Sequence, residues 1–198
     1  SINRAEENGL CDLVADSQRA LTGAQAALGH AGSVRNNLQA GEITRKDVIN
    51  TLPYYNEIVK VSVSGQMILD ALEFSVSYLP QRVGGFLQVS GISYSVYTDS
   101  GSSVRKDEKK QFICVDGDYR VHNVKIDGRD LDPKAEYVLS TYMFMLTGGD
   151  GYTMFKEADI LETLPLSDNE ILMKYIEEDL NGVVPDTYLE ASGRLVFD

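Results

Sequence analysis

From Glu57 to Ser64 the chain alternates apolar and polar residues (EIVKVSVS), a period of two that predicts a half-buried β-strand. The period then changes. Met67, Ile68, Ala71, Leu72 and Val76 recur at helical spacing, which predicts a helix from residue 65 to about 78 with Ser64 as its cap. Residues 1–9 read as polar and irregular. From Leu10 the apolar positions Leu13, Val14, Ala20, Leu21, Ala24 and Ala27 predict a helix over roughly 8–22. Gly23 weakens any continuation, because glycine costs about 1 kcal/mol against alanine inside a helix. Ala26-Ala27-Leu28 starts a short buried strand, and Thr44 with Asp47 gives a loose capping box for a helix over 45–50.

Residues 86–97 read as an edge strand, a glycine bulge at Gly91 and a second strand. Residues 99–110 are charged and serine-rich, as in a solvent loop. Further strands are expected over 111–115, 119–126 and 136–142, separated by the turn pairs Asp116-Gly117, Asp127-Gly128 and Asp132-Pro133. Thr153 to Lys156 forms a short helical turn. A second amphipathic helix runs from Ser167 to about Leu180, with Ile171, Leu172, Tyr175, Ile176 and Leu180 inward and Asp168, Glu170 and Glu177 outward. Gly182 ends it and Pro185 prevents its resumption. Leu195–Phe197 reads as a terminal strand. No repeat or linker interrupts the pattern, so the expectation is one α+β domain over residues 1–198.

Charge narrows the function classes. Eighteen Lys and Arg against 30 Asp and Glu leave a formal charge of −12, which opposes a role in gripping nucleic-acid backbone or anionic membrane. It leaves room for a small phosphate ligand held by a few local arginines. No run approaches the roughly 18 apolar residues of a membrane span. The chain opens Ser1-Ile2-Asn3-Arg4, without Met or a signal-peptide pattern, as in a processed chain or an excised domain. Cys11 and Cys114 are far apart and form no metal signature; one disulfide is allowed, with buried free thiols the expected state. The only histidines, His30 and His122, are too few for a His-rich dinuclear site.

Two stretches carry candidate binding chemistry. Gly29-His30-Ala31-Gly32-Ser33-Val34-Arg35 is a small-residue loop whose backbone N–H groups and terminal guanidinium suit an oxyanion. Thr141 to Tyr152 runs through Phe144 into Gly148-Gly149-Asp150-Gly151, a turn that brings the backbone close to a ligand or another segment and aims a carboxylate outward. A carboxylate accepts two hydrogen bonds from a diol such as a ribose. Locally, both stretches also fit plain roles: a surface arginine, a strand-capping turn, and Phe144 in the core.

Taken in order, the segments resemble the C-terminal domain of the 5′-nucleotidase family. The match runs through His30-Ala31-Gly32-Ser33-Val34-Arg35, Gly41-Glu42-Ile43-Thr44, Leu52-Pro53-Tyr54-Tyr55-Asn56, Gly65 to Glu73, Gly85 to Ile92, Asp127 to Pro133, and Phe144 followed by Gly148-Gly149-Asp150-Gly151-Tyr152. The resemblance implies a layered α/β/β/α fold. It implies that Tyr54 and Phe144 sandwich a base, that Asp150 binds ribose hydroxyls, and that Arg35, with Arg4 upstream, grips phosphate beside His30. It assigns no cofactor to this chain, placing a divalent metal pair and the catalytic groups on an N-terminal metallophosphoesterase domain of the same polypeptide. The implied ligand is a nucleotide or nucleoside, and the implied setting is extracellular, periplasmic or at the cell surface. The isolated chain is then expected to be inactive. The sequence departs from the family pattern where His30 replaces Asn, Ala31 and Ser33 replace glycines, Tyr54 stands where Phe is common and Met143 where Asn is frequent. The segment 102–119 is longer than usual. The alternative is a binding or structural module of the same fold that has lost the nucleotide.

Overall fold

In a computed structural model the chain is described over residues 4–198, so the expectation for residues 1–3 lies outside the described residues. The elements, in order, are α1 (Gly9–Thr22), β1 (Ala26–His30), α2 (Arg45–Thr51), β2 (Glu57–Ser64), α3 (Gly65–Val76), β3 (Leu87–Ser90), β4 (Ile92–Val96), β5 (Val104–Lys106), β6 (Phe112–Val115), β7 (Val121–Ile126), β8 (Arg129–Asp130), β9 (Glu136–Tyr142), α4 (Met143–Leu146), β10 (Asp159–Ser167), α5 (Asp168–Lys174) and β11 (Leu195–Phe197). Local chemistry sets their ends. Asn8 accepts from the N–H groups of Leu10 and Cys11, and Gly23 closes α1 at φ 60°. Thr44 with Asp47 and Ser167 with Glu170 form reciprocal capping boxes on α2 and α5.

Five strands form a mixed sheet in the order β10-β2-β9-β1-β3, and four form a second in the order β11-β4-β7-β8. Within the first, β1 runs parallel to β9 and antiparallel to β3, while β2 is antiparallel to both β9 and β10. One apolar cluster joins Leu28, Ile58, Val61 and Leu139 of the first sheet to Ile68, Leu72 and Phe74 of α3 and to Tyr94, Val96 and Val124 of the second. A smaller cluster joins Leu13 and Val14 of α1 to Val48, Leu52 and Leu172. This is an α+β fold with mixed sheets.

Several local expectations need correction. Gly91 is a hinge between sheets and not a bulge: at φ 71° it turns the chain from β3, the edge of the first sheet, into β4 of the second. The stretch 99–110 is not all loop, because β5 pairs with β6 as a two-stranded hairpin. Strand β10 was not anticipated. The helix after Ser167 is regular only to Lys174 and then widens into a turn with i→i+5 bonding over Tyr175–Asp179. Asp168 is buried and does not face out. Both thiols are free, but only Cys11 is buried; Cys114 is exposed. Burial pushes the Cys11 thiol up to about 12, so it stays protonated.

Candidate functional site

The ladder of the first sheet gathers the candidate residues. Ile58 stands opposite Tyr142, so β2 begins at the end of the sheet where β9 finishes. Leu28 pairs with Thr141 in parallel, so β1 finishes there too. His30 lies opposite Leu87, which places the approach to β3 at the same end. The residues just before β2, just after β1 and β9, and just before β3 therefore emerge together. These are Tyr54, His30 to Arg35, Phe144 to Asp150, and Gly84-Gly85.

Phe144 sits in the short helix α4, not at the end of a strand, and its ring is 45% exposed. Gly149 makes room for it: a Cβ there would run into the ring. The His30 ring lies 5.8 Å from it, tilted by 43°. Asp150 occupies the left-handed region at φ 51° and ψ 15°, between Gly148 at φ 85° and Gly151 at φ 92°. That conformation costs a non-glycine residue roughly 1–2 kcal/mol, less for Asp than for most, and such costs cluster where function requires the geometry. The Asp150 carboxylate rests against Gly85 and is 38% exposed. Among the described residues no hydrogen bond engages it.

His30 is nearly enclosed. Its Nδ1 lies 3.3 Å from the Gly84 carbonyl and 3.7 Å from Asp150 Oδ2. A carbonyl can only accept, so Nδ1 carries the hydrogen and Nε2 is the free acceptor. Burial is the main force holding the His30 pKa below its usual 6.5; the Arg4 charge acts the same way, while Asp150 and the Gly84 carbonyl oppose them. Arg4 reaches this corner as well: its guanidinium approaches Gly84, and its carbonyl accepts from Val83 N at 3.2 Å. Beneath the ring, Gln18 Nε2 donates to Tyr142 Oη at 2.9 Å, Tyr142 donates to Ser33 Oγ at 3.0 Å, and Ser33 donates to the His30 carbonyl at 2.9 Å. The Tyr142 ring meets the imidazole edge-on at 5.1 Å.

This support changes the expectation for the 30–35 segment. Ala31 N donates to the Phe86 carbonyl, Gly32 N to Gly84 and Arg35 N to Thr51, at 2.7–2.8 Å. Those three N–H groups are not presented to an anion, and the Arg35 guanidinium is the charged donor of the segment. That guanidinium lies 5.8 Å from the centroid of the Tyr54 ring, within cation–π reach, and Tyr54 is 56% exposed. The turn bearing Tyr54 is anchored from below. Asp168 accepts from Asn56 N at 3.1 Å and from Asn56 Nδ2 at 2.7 Å, while Asp168 N donates to the Asn56 carbonyl at 2.9 Å.

Known proteins share this arrangement of elements. A family profile described as the C-terminal domain of 5′-nucleotidase matches residues 1–157. The chain belongs to the 5′-nucleotidase C-terminal domain family. It is 30% identical over 197 residues to the 5′-nucleotidase of Vibrio cholerae serotype O1, aligning all of this chain with 32% of that protein. It is also 30% identical over 191 residues to the trifunctional nucleotide phosphoesterase protein YfkN of Bacillus subtilis, covering 92% of this chain and 12% of that one. A crystal structure of a 5′-nucleotidase precursor from Thermus thermophilus superposes with a TM-score of 0.80 at 30% identity, covering 99% of this chain and 36% of the other. The chain thus spans about a third or less of the length of these relatives. Among the described residues, no group of three or more His, Cys, Asp or Glu side chains could hold a metal ion.

Sequence reasoning missed several members of this corner of the 5′-nucleotidase C-terminal domain. Gln18, Tyr142 and Gly84 reach the His30 corner only through tertiary contacts, whereas Ser33 supports it from three residues along the same loop. Asn56 and Asp168 lie on segments 112 residues apart. Only the pairing Ser167↔Glu57 between β10 and β2 brings them together.

Proposed function

We propose that this chain is the nucleotide-recognition domain of a larger 5′-nucleotidase-like phosphoric ester hydrolase. Asp150 carries the reading: a strained residue holds a part-exposed carboxylate with open acceptor positions beside an exposed, propped aromatic ring. In this reading Phe144 and Tyr54 stack on the base, a contribution of roughly 1–3 kcal/mol per ring that tolerates different bases. Asp150 accepts from the ribose hydroxyls. Arg35 forks onto the phosphate with Arg4 nearby, and the free His30 Nε2 accepts from a ligand hydroxyl or amine. The metal pair that supplies an activated water belongs to a metallophosphoesterase domain outside this sequence, and the relatives' greater length supports such a partner. The protein acts outside the cytoplasm or at the cell surface, and this chain alone releases no phosphate from AMP.

Calorimetric titration with adenosine and with AMP tests the reading. Both bind, AMP more tightly, and Phe144→Ala weakens both about tenfold. Equal affinity in the Phe144→Ala variant would sink the stacking role. The spent N–H groups of Ala31, Gly32 and Arg35 favour a second reading, a module of the same fold that has lost the nucleotide; it predicts no heat with either ligand.

A further inference from the structure

The acidic surface of this chain has a cationic exception at the tip of the β5–β6 hairpin. The tip is a fixed structure. Lys110 N donates to the Asp107 carbonyl at 2.9 Å, and the Asp107 carboxylate accepts from Lys109 N at 2.9 Å and Gln111 N at 2.8 Å. It is docked onto the glycine turn that carries Asp150. The Lys110 carbonyl packs on Gly151 and accepts from Tyr78 Oη at 3.4 Å, and Thr153 Oγ1 donates to the Phe112 carbonyl at 2.6 Å. Between tip and turn lies a cleft of about 450 Å³ whose lining includes Tyr78, Gly85, Lys109, Lys110, Asp150 and Tyr152. Lys106 backs it, with Nζ 3.3 Å from the centroid of the Tyr78 ring.

Among the described residues, the lysines of the tip stand together without a carboxylate partner. At the hairpin's base Arg105 is neutralised by Asp116 at 2.8 Å, in contrast to the tip. Among the described residues no carboxylate pairs with Lys106, Lys109 or Lys110. The Asp107 carboxylate is spent on the turn, and Glu108 is the remaining acid of the tip. Burial lowers the Lys106 pKa, and the Lys110 charge adds to that effect. An unpaired cation cluster that walls a cleft favours an anion entering it.

We infer that the cleft between Asp150 and the Lys109–Lys110 tip is a second anion subsite, which takes a phosphate esterified to the 2′ or 3′ oxygen of the ribose. The inference rests on the reading that Asp150 meets the ribose. Asp150 then holds the remaining free hydroxyl, and the two lysines offset its repulsion of the phosphate. The favoured ligand is a nucleotide phosphorylated at both ends of its ribose. It binds through one phosphate at Arg35 and the other at the hairpin tip.

The test compares AMP with adenosine 3′,5′-bisphosphate, which differ only in the second phosphate. Calorimetry is run on this chain and on a Lys109→Gln/Lys110→Asn variant; Asn suits the left-handed φ of 63° at position 110. The expected result is roughly tenfold tighter binding of the bisphosphate by the original chain, weakening with salt, and near-equal affinities in the variant. Unchanged AMP affinity in the variant shows that it is folded. AMP binding with no gain from the second phosphate overturns this inference and leaves the proposed function standing. So does a gain that survives loss of the lysines. Failure of AMP to bind the original chain overturns both.

Discussion

His30 Nδ1 stands 3.7 Å from Asp150 Oδ2, so the carboxylate proposed to meet the sugar is also the nearest anion to a buried imidazole. The two act on each other. Burial holds the His30 pKa below 6.5 and Asp150 resists that shift. Asp150→Asn should therefore move the His30 titration further down, by removing the strongest influence that favours the charged ring. Two-dimensional NMR of the ring protons against pH reads this directly, and an upward or absent shift would count against the pairing. The linkage has a definite sign. The folded state binds fewer protons than the unfolded state in the window below 6.5, so the His30 contribution to stability is present above that value and lost as pH falls through the folded pKa.

Asp12 gives a contribution of the opposite sign. It is 1% exposed, and its Oδ2 accepts from Ser192 Oγ at 3.0 Å while Arg194 Nε stays 3.8 Å from Oδ1. Burial raises its pKa from 3.8 to about 7; Arg194 pulls it down, and Glu7 adds to the rise. The folded state thus holds a proton that the unfolded state has released. This contribution is present in full below 3.8 and lost as pH rises to about 7. Asp12→Asn keeps a neutral side chain at every pH. Relative to the original chain, the variant should gain stability with rising pH across that window, by up to about 1.4 kcal/mol per unit. Urea unfolding of both proteins between about pH 4 and 8 supplies the difference, and a flat difference would refute the raised pKa. Glu7 faces Asp12: burial raises its pKa, but hydrogen bonds from the backbone of Leu195 and Arg194 and from Asp12 and Ser192 hold it below 4.5, so the difference between the two proteins reports the Asp12–Glu7 pair.

How legible each element was follows from what its residues face. Strand β2 read directly because its alternation reports burial against a core. Strand β10 hid because it is the sheet's edge: Asp159 to Thr163 are exposed, so their order carries no period. The β5 strand is three residues long and charged, too short to show any pattern. Asp168 looked like an outward acid in a first helical turn, where the helix dipole alone explains it. Its partner, Asn56, lies just before the neighbouring strand β2, 112 residues away in sequence, and cannot be seen from the helix. For the site, the sequence showed which side chains carry suitable chemistry. It could not show that Tyr142 and Ser33 brace His30, nor that a hairpin inserted at 104–115 would set its lysines beside Asp150.

The placement of Phe144 depends on the missing side chain at Gly149. A Cβ at that position meets three carbons of the Phe144 ring, and the helical turn of Gly149–Gly151 leaves the backbone little freedom to retreat. Gly149 lies outside the left-handed region, so alanine there is opposed by the ring and not by backbone conformation. Gly149→Ala should therefore swing Phe144 away while leaving the buried neighbours Met145 and Leu146 in place. The predicted consequence is a small change in stability, within about 1 kcal/mol, because the displaced ring is already half in water. Adenosine affinity should fall by roughly the tenfold that one stack supplies. Thermal unfolding and calorimetry on the same preparation separate the two effects. Full adenosine affinity in Gly149→Ala, with Phe144 displaced in its crystal structure, would show that the ring is not part of the base-binding face.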